Sequence, residues 1–139
     1  MKILFLGDIV GPSGCESLKK NLPLVKKKHK IDFVIANGEN AADIGVGITE
    51  KISNSIFTAG VDVITSGNHI WDQKETMDHI AKEKKLLRPE NLIKGSPGKG
   101  FEIYETSKRI KIGVLNLMGN IFMKKCEDAF ITAEKIFNK

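Results

Sequence analysis

Three short polar clusters, each containing a glycine, hold the side chains of this chain that are best suited to chemistry. They are Gly7-Asp8, Asn37-Gly38-Glu39-Asn40 and Ser66-Gly67-Asn68-His69. Carboxylate and amide oxygens suit divalent cations, and a carboxylate such as that of Glu39 can bridge two of them. Two such ions roughly 3.5–4 Å apart can hold a phosphate, activate a water molecule and stabilise a leaving oxygen. The clusters therefore predict a metal site that acts on phosphate esters.

Each of these side chains also has a purely structural interpretation. Asp8 could cap the next helix, and Asn40 and Asn68 are residue types common in turns. His69, taken alone, is more typical of a loop histidine that is simply hydrogen-bonded in place. Glu39 is harder to explain in this way, because a carboxylate at the end of a buried strand needs a partner. Three successive strand ends with ligand-type residues favour one shared site.

Uninterrupted apolar runs precede the three clusters. Residues 2–6, 32–36 and 61–65 have the composition of strands that are covered on both faces in a parallel sheet. Helical patterns lie between the runs, which predicts right-handed crossovers and a layered α/β fold. Because ligands bind at the carboxyl ends of the strands in open α/β sheets, we expect the three clusters to converge.

Four helices and a hairpin complete the predicted elements. Helices are expected over residues 13–29, over residues 49–59 with Thr49 as the cap, and from Asp72 through residue 84. The later part of the chain predicts a loop, then paired strands, then an amphipathic helix, over residues 95–100, 101–104, 111–117 and 128–138. A strand should follow that last helix in a layered α/β protein. We therefore interpret residues 1–139 as a single, partial domain that is cut short after its first half, and expect its sheet to expose an apolar edge or face.

Composition limits the partners and the compartment. Hydrophobic residues make up 41% and charged residues 28% of the chain, as in ordinary soluble proteins, and no apolar run approaches the roughly 18 residues that span a bilayer. We expect a cytoplasmic protein with no membrane partner, in which Cys15 and Cys126 are free thiols. The formal charge of +5 favours an anionic substrate. Only this charge supports a nucleic-acid partner, and a solvated helix face explains the lysine clusters better.

Three motifs together resemble the YmdB-like branch of the calcineurin-like metallophosphoesterases. They are Gly7-Asp8-Ile9-Val10-Gly11, Asn37-Gly38-Glu39-Asn40-Ala41-Ala42 and Gly67-Asn68-His69-Ile70-Trp71-Asp72, with Arg88-Pro89-Glu90-Asn91 and Gly95-Ser96-Pro97-Gly98-Lys99-Gly100 as further matching segments. The resemblance covers essentially all 139 residues. It implies a β-sandwich flanked by helices, and hydrolysis of phosphodiesters such as cyclic nucleotides.

The resemblance also implies roles for the cluster residues. Asp8 and Asn40 would bind the first of two divalent metal ions, Glu39 would bridge the pair, and Asn68 would bind the second. Iron or manganese is the expected metal, with zinc or magnesium as alternatives. His69 would donate a proton to the leaving alkoxide, a role that suits a side chain able to change its charge near neutral pH.

The chain departs from the family pattern in two ways. Val10 stands where the wider superfamily has a histidine, which fits the YmdB-like branch. Family members are about twice as long, and their second halves supply three more metal-binding histidines. The other histidines here, His29 and His79, are predicted to be surface helix residues. We therefore expect weak metal binding and poor turnover by this chain alone, and either self-association or pairing with a separately encoded second half.

Three other functions are weighed against the enzyme. A catalytically impaired homologue could act as a phosphate- or nucleotide-binding or regulatory module. A Rossmann-like nucleotide site is weaker, because Asp8 would repel a pyrophosphate among the spaced glycines of residues 7–14. An RNA-binding module comes last, since net charge alone supports it.

Overall fold

The computed structural model describes residues 1–138 and contains a parallel sheet with helices on one face. The sheet order is β1-β2-β3-β4, and its strands are Ile3–Leu6, Phe33–Asn37, Val63–Thr65 and Leu86–Leu87. All neighbouring pairs are parallel, with Ile3 opposite Phe33 and Ile35 opposite Val63. The mixed α/β class and the first three strands are as predicted. The sequence did not predict β4, because two residues are too short to form a pattern.

The helices are α1 (Gly11–His29), α2 (Glu50–Thr58), α3 (Thr76–Ile80) and α4 (Ala129–Phe137). α2 begins as predicted, with the Thr49 hydroxyl accepting a hydrogen bond from the Ile52 amide at 3.2 Å. The expectation for α3 is wrong in both length and cap. Its five residues follow Glu75, while Asp72 lies outside the helix and contacts a histidine.

Side chains alternate across the strands, so the sheet has two covered faces. On one face, Leu18 and Leu22 of α1 and Ile56 of α2 pack against strand residues that include Val34 and Ile64. This cluster is the main hydrophobic core.

An antiparallel hairpin packs on the opposite face. Its strands are β5 (Phe101–Glu105) and β6 (Lys111–Leu115), which confirms the predicted pair. Ile112 and Val114 of β6 contact Phe33 and Val63 of the parallel sheet. The hairpin is anchored at its turn, where the Lys108 ammonium lies 2.6 Å from an Asp32 carboxylate oxygen.

The prediction that His79 is a surface residue is wrong, whereas His29 is exposed in the last turn of α1. His79 is only 9% exposed, and its Nε2 lies 2.7 Å from the Ser53 hydroxyl of α2. The single hydroxyl proton of Ser53 goes to the Glu50 carbonyl at 2.9 Å. The contact between His79 Nε2 and the Ser53 hydroxyl therefore joins α3 to α2.

Two sequence expectations concern the cysteines and the membrane. Cys15 and Cys126 are both free thiols, as expected. Within residues 1–138, the helices are all too short or too polar to cross a lipid bilayer.

Candidate metal-binding site at the strand ends

Backbone contacts join the segments that follow the first three strands. Val10, after β1, forms a parallel bridge with Asn40, after β2, and the Gly11 amide donates to the Asn40 carbonyl at 2.9 Å. The Gly38 amide donates to the Thr65 carbonyl of β3 at 3.0 Å. The strand ends therefore meet at one edge of the sheet, as parallel pairing predicts.

Asp8 and Asn40 contact each other directly through their side chains. Asn40 Nδ2 lies 3.0 Å from each carboxylate oxygen of Asp8 and donates to them. Asn40 Oδ1 is buried and has no hydrogen-bond partner among the described residues. A buried carbonyl oxygen without a partner costs free energy unless it finds a donor or a cation. Asn40 thus contacts Asp8 through its amide nitrogen and leaves its buried amide oxygen without a partner among the described residues.

Glu39 reaches across to the turn after β3. Its Oε2 accepts a hydrogen bond from the His69 amide at 3.4 Å. The carboxylate fits against Gly67, where a Cβ atom would lie 2.6 Å from Oε1 and 2.7 Å from Cδ. Only a glycine at position 67 therefore leaves room for the carboxylate in this position.

Asn68 lines the same cleft as Glu39, between the parallel sheet and β6. The buried Asn116, after β6, supports this part of the site. Its Nδ2 donates to the Ser66 carbonyl at 2.8 Å and to the Leu87 carbonyl at 3.1 Å. The turn that carries Asn68 is thus fixed to both β4 and the hairpin side of the molecule.

The side chain of His69 is hydrogen-bonded to Asp72, which the sequence analysis placed at the start of a helix. Its Nδ1 lies 2.6 Å from Asp72 Oδ2, and both side chains are about one-third exposed. Since a carboxylate accepts hydrogen bonds, Nδ1 carries the proton and Nε2 is the nitrogen left for other partners. The spacing of three residues between His69 and Asp72 was the available signal for this contact.

The structure brings the predicted residues together in two linked groups. Glu39 and Asn68 line one cleft, whereas Asp8 lines a separate pocket between β1 and α1 and contacts Asn40 through its side chain. Across residues 1–138, no three His, Cys, Asp or Glu side chains are grouped so as to hold a metal ion. The donors present are oxygens of two carboxylates and two amides, a set that fits hard divalent cations in part.

Cys15 contacts the turn after β2. Its Sγ donates to the Ala41 carbonyl at 3.6 Å. Burial raises the pKa of the Cys15 thiol, and the nearby Lys19 only partly opposes this effect. Burial and this hydrogen bond therefore favour the neutral thiol.

Solved structures share this fold. The chain superimposes with a TM-score of 0.92 on a hypothetical protein from Thermus thermophilus, with 35% sequence identity, covering 100% of this chain and 53% of that one. It superimposes with a TM-score of 0.91 on a novel phosphatase from Mycoplasma pneumoniae, with 34% identity, covering 99% and 50% of the two chains. The mixed α/β fold of this chain is therefore similar to that of a solved phosphatase.

The model of the family described as "YmdB-like protein" matches residues 4–139, and the chain belongs to this family. The resemblance inferred from the motifs is thereby confirmed. The 2',3'-cyclic-nucleotide 2'-phosphodiesterase of Bacillus subtilis is 43% identical over 136 residues, which are 98% of this chain and 51% of that protein. The chain thus spans about half the length of the relatives it matches.

Proposed function

We propose that this chain carries the strand-end half of a metal-dependent phosphodiesterase site that hydrolyses small cyclic nucleotides. The observations that support this most directly are the contact of Asp8 with Asn40 and the contact of Glu39 with the turn that bears Asn68 and His69. The relatives named phosphodiesterase or phosphatase support the reaction class. The formal charge of +5 is suited to an anionic substrate.

The proposed site holds two divalent ions, with iron or manganese as the preferred metals. Their ligands would be the oxygens described above. Asp8 and Asn40 would hold one ion, Glu39 would bridge, and Asn68 would hold the second. When bound, such ions neutralise phosphate charge and activate water. The unpartnered, buried Asn40 Oδ1 supports this assignment, because a cation would satisfy it.

The proposed role of His69 is to protonate the oxygen that leaves the phosphorus. Asp72 holds the ring through Nδ1, so Nε2 is the atom that would carry the transferred proton. Asp72 is a positioning residue in this scheme, because it fixes the orientation of the ring and touches no substrate.

A second candidate function is a phosphate- or nucleotide-binding or regulatory module with impaired catalysis. The chain covers about half of its relatives. The proposed metal ligands are all oxygens, and the described residues contain no group of three His, Cys, Asp or Glu side chains that could hold a metal ion. Iron and zinc prefer nitrogen donors in addition, so this set alone should bind them weakly. In this case the site recognises the phosphodiester without turning it over.

The remaining ligands would come from association. We propose that the site is completed by a second half of the fold, which would also complete a β-sandwich, with a homo-oligomer as the alternative. We propose the cytoplasm as the compartment, on the composition grounds given above.

Hydrolysis of bis-p-nitrophenyl phosphate and of a 2',3'-cyclic nucleotide, with Mn²⁺ present, tests the proposal. Metal-dependent hydrolysis that Asp8→Asn abolishes and Asp43→Asn preserves would support the enzyme. Binding of the cyclic nucleotide without hydrolysis, again sensitive to Asp8→Asn, would support the binding module. Absence of both, also when the second half of the fold is supplied, would refute the assigned site. Calorimetric titration with Mn²⁺ should show weak binding, and tight binding of two ions would contradict the incomplete ligand set.

A further inference from the structure

Basic side chains from five segments meet at the edge of the sheet where the strands begin, opposite the candidate site. The segments are residues 1–2 before β1, 26–32 between α1 and β2, 59–62 before β3, 83–85 before β4, and 105–111 around the hairpin turn. We call this surface the basic end. It holds ten of the 22 Lys and Arg residues but only four of the 17 Asp and Glu residues, so its formal charge is +6. Since the whole chain carries +5, the remainder is slightly acidic.

Direct contacts hold the five segments of the basic end together. The hydrogen bonds between them are Lys2 Nζ to the His29 carbonyl at 3.1 Å, Lys26 Nζ to the Gly60 carbonyl at 2.8 Å, and Tyr104 Oη, beside the hairpin turn, to the Lys84 carbonyl at 2.6 Å. The ion pair between Lys108 and Asp32 adds the hairpin turn to the segment before β2. Lysine clusters that are far apart in the sequence therefore form one surface.

Most of the charge at the basic end has no local partner. Nine of the ten basic side chains are exposed, and Lys26 is half-buried. Over the described range 1–138, Lys108 alone among the ten forms an ion pair. The helix dipole explains the lysines in the last turn of α1, but not those before β4 or at the hairpin turn. Like charges gathered without counter-charges favour an anionic partner.

Two of these basic side chains stand at backbone positions that favour glycine. Lys30 and Arg109 have φ angles of 53° and 59°, which lie in the left-handed region. Phe122 is the one other non-glycine residue with a positive φ in the part of the chain that the structure describes. Because a long side chain is disfavoured in this region, the local backbone does not explain a basic residue at either position. A role for their charge does.

We propose that the basic end is a docking surface for the phosphodiester backbone of single-stranded RNA. The starts of four neighbouring strands, at about 4.8 Å per interval, span about 14 Å, which is room for about four phosphates at about 3.4 Å per nucleotide. The five segments contain no Phe, Tyr, Trp or Leu. They therefore offer neither a stacking platform for bases nor the apolar band of a membrane-binding surface. Binding is electrostatic and independent of base sequence.

The chemistry of the proposed substrate favours RNA over other polyanions. A 2',3'-cyclic phosphate forms when the 2'-oxygen of a ribonucleotide bonds to the adjacent phosphorus, the bond from phosphorus to the next 5'-oxygen breaks, and the 2'-hydroxyl proton passes to that leaving oxygen. Cleavage of RNA thus supplies nucleotides of the proposed substrate class. This choice of polyanion rests on the proposed function, whereas the electrostatic argument does not.

Fluorescence anisotropy of a labelled single-stranded RNA of mixed sequence, about 16 nucleotides long, tests the proposal. The variant is Lys30→Gly with Arg109→Gly, which removes two charges and suits the local backbone. The matched control is Lys94→Gly with Lys124→Gly, because both lysines are exposed in loops beyond the carboxyl ends of strands. Circular dichroism verifies folding. All binding is measured in EDTA, so that it reports on the basic end and not on a loaded metal site.

The wild type and the control should bind RNA with an affinity that falls steeply as salt is added. The variant should bind about 25-fold more weakly at about 0.1 M salt, and its salt exponent should fall by about 1.4, since each phosphate contact contributes about 0.7. These losses with the variant alone would support the proposal.

Five results would overturn it. They are no RNA binding by the wild type, equal weakening by the control, loss of RNA binding in Asp8→Asn, tighter binding of DNA of the same sequence, and tighter binding of phosphatidylserine vesicles than of RNA. RNA binding that depends on the basic end, without hydrolysis of a cyclic nucleotide when Mn²⁺ and the second half of the fold are supplied, would refute the proposed catalytic function alone.

Discussion

Replacing Gly67 by alanine should separate metal binding from folding stability. The added Cβ would lie 2.6 Å from Glu39 Oε1 and 2.7 Å from Cδ, whereas ordinary carbon contacts are about 3.5–4.0 Å. The carboxylate must therefore move by about 1 Å. Gly67 does not have a positive φ, so alanine fits its backbone conformation.

The magnitude of the effect follows from these contacts. Misplacing a supporting group typically costs ten- to a hundredfold in metal affinity, which is about 1.4–2.7 kcal/mol. Stability should change less, because alanine for glycine stabilises by about 0.4–1 kcal/mol through the unfolded chain. The weakened hydrogen bond from the His69 amide to Glu39, at 3.4 Å, opposes this by about 0.5–1.5 kcal/mol. The net change in the free energy of unfolding should stay within about 1 kcal/mol.

Electron paramagnetic resonance of free Mn²⁺ during titration is the suitable assay, because it measures weak binding directly. Urea unfolding gives the free energy of unfolding of the same samples. Gly119→Ala is the matched control, since Gly119 lines the same cleft and a Cβ there meets no atom within 4 Å. If Gly67→Ala bound Mn²⁺ as tightly as the wild type while remaining folded, Glu39 would not be a metal ligand.

Two further substitutions test the elements that position the site. Thr49→Ala removes the acceptor of the Ile52 amide and should lower the free energy of unfolding by about 1 kcal/mol in urea, with Thr49→Ser close to the wild type. Hydrogen bonding by Lys108, and next by the Lys2 amide, lowers the pKa of Asp32. The Asp32 carboxylate therefore stabilises the folded state at pH values above its unfolded pKa. This stabilisation is lost as the pH falls through the folded pKa. Asp32→Asn should therefore lower the melting temperature at pH 7 and have little effect near pH 2; an equal loss at both pH values would contradict the ion-pair explanation.

The sequence predicted the meeting of the first three strand ends better than it predicted the elements around them. Asp8, Glu39 and Asn68 follow strands whose apolar runs are unmistakable, and parallel pairing then brings their ends to one edge. β4 was missed because its two residues become a strand only by pairing with β3. Asp72 was predicted to cap a helix because aspartate is a common cap residue, but its side chain instead contacts the imidazole of His69, three residues earlier.

Buried polar residues were the other group that sequence reasoning did not place. Asn116 and Asn91 lie in loops, where asparagine is common for local reasons. In the structure Asn91 donates to the Met118 and Glu127 carbonyls and accepts from the Met118 amide. These contacts span 27 to 36 residues, so only the assembled tertiary structure explains them.

The loop that leaves Asn40 is attached to the segment that leaves His69. Gln73 Nε2 donates to the Val46 carbonyl at 2.9 Å, and the Thr76 hydroxyl donates to the Ile48 carbonyl at 2.5 Å. Together with the contact between Glu39 and the His69 amide, these hydrogen bonds link the two turns at several points. A displacement of one turn should therefore be transmitted to the other, so we expect the amide oxygen of Asn40 and the imidazole of His69 to move together when a phosphate binds.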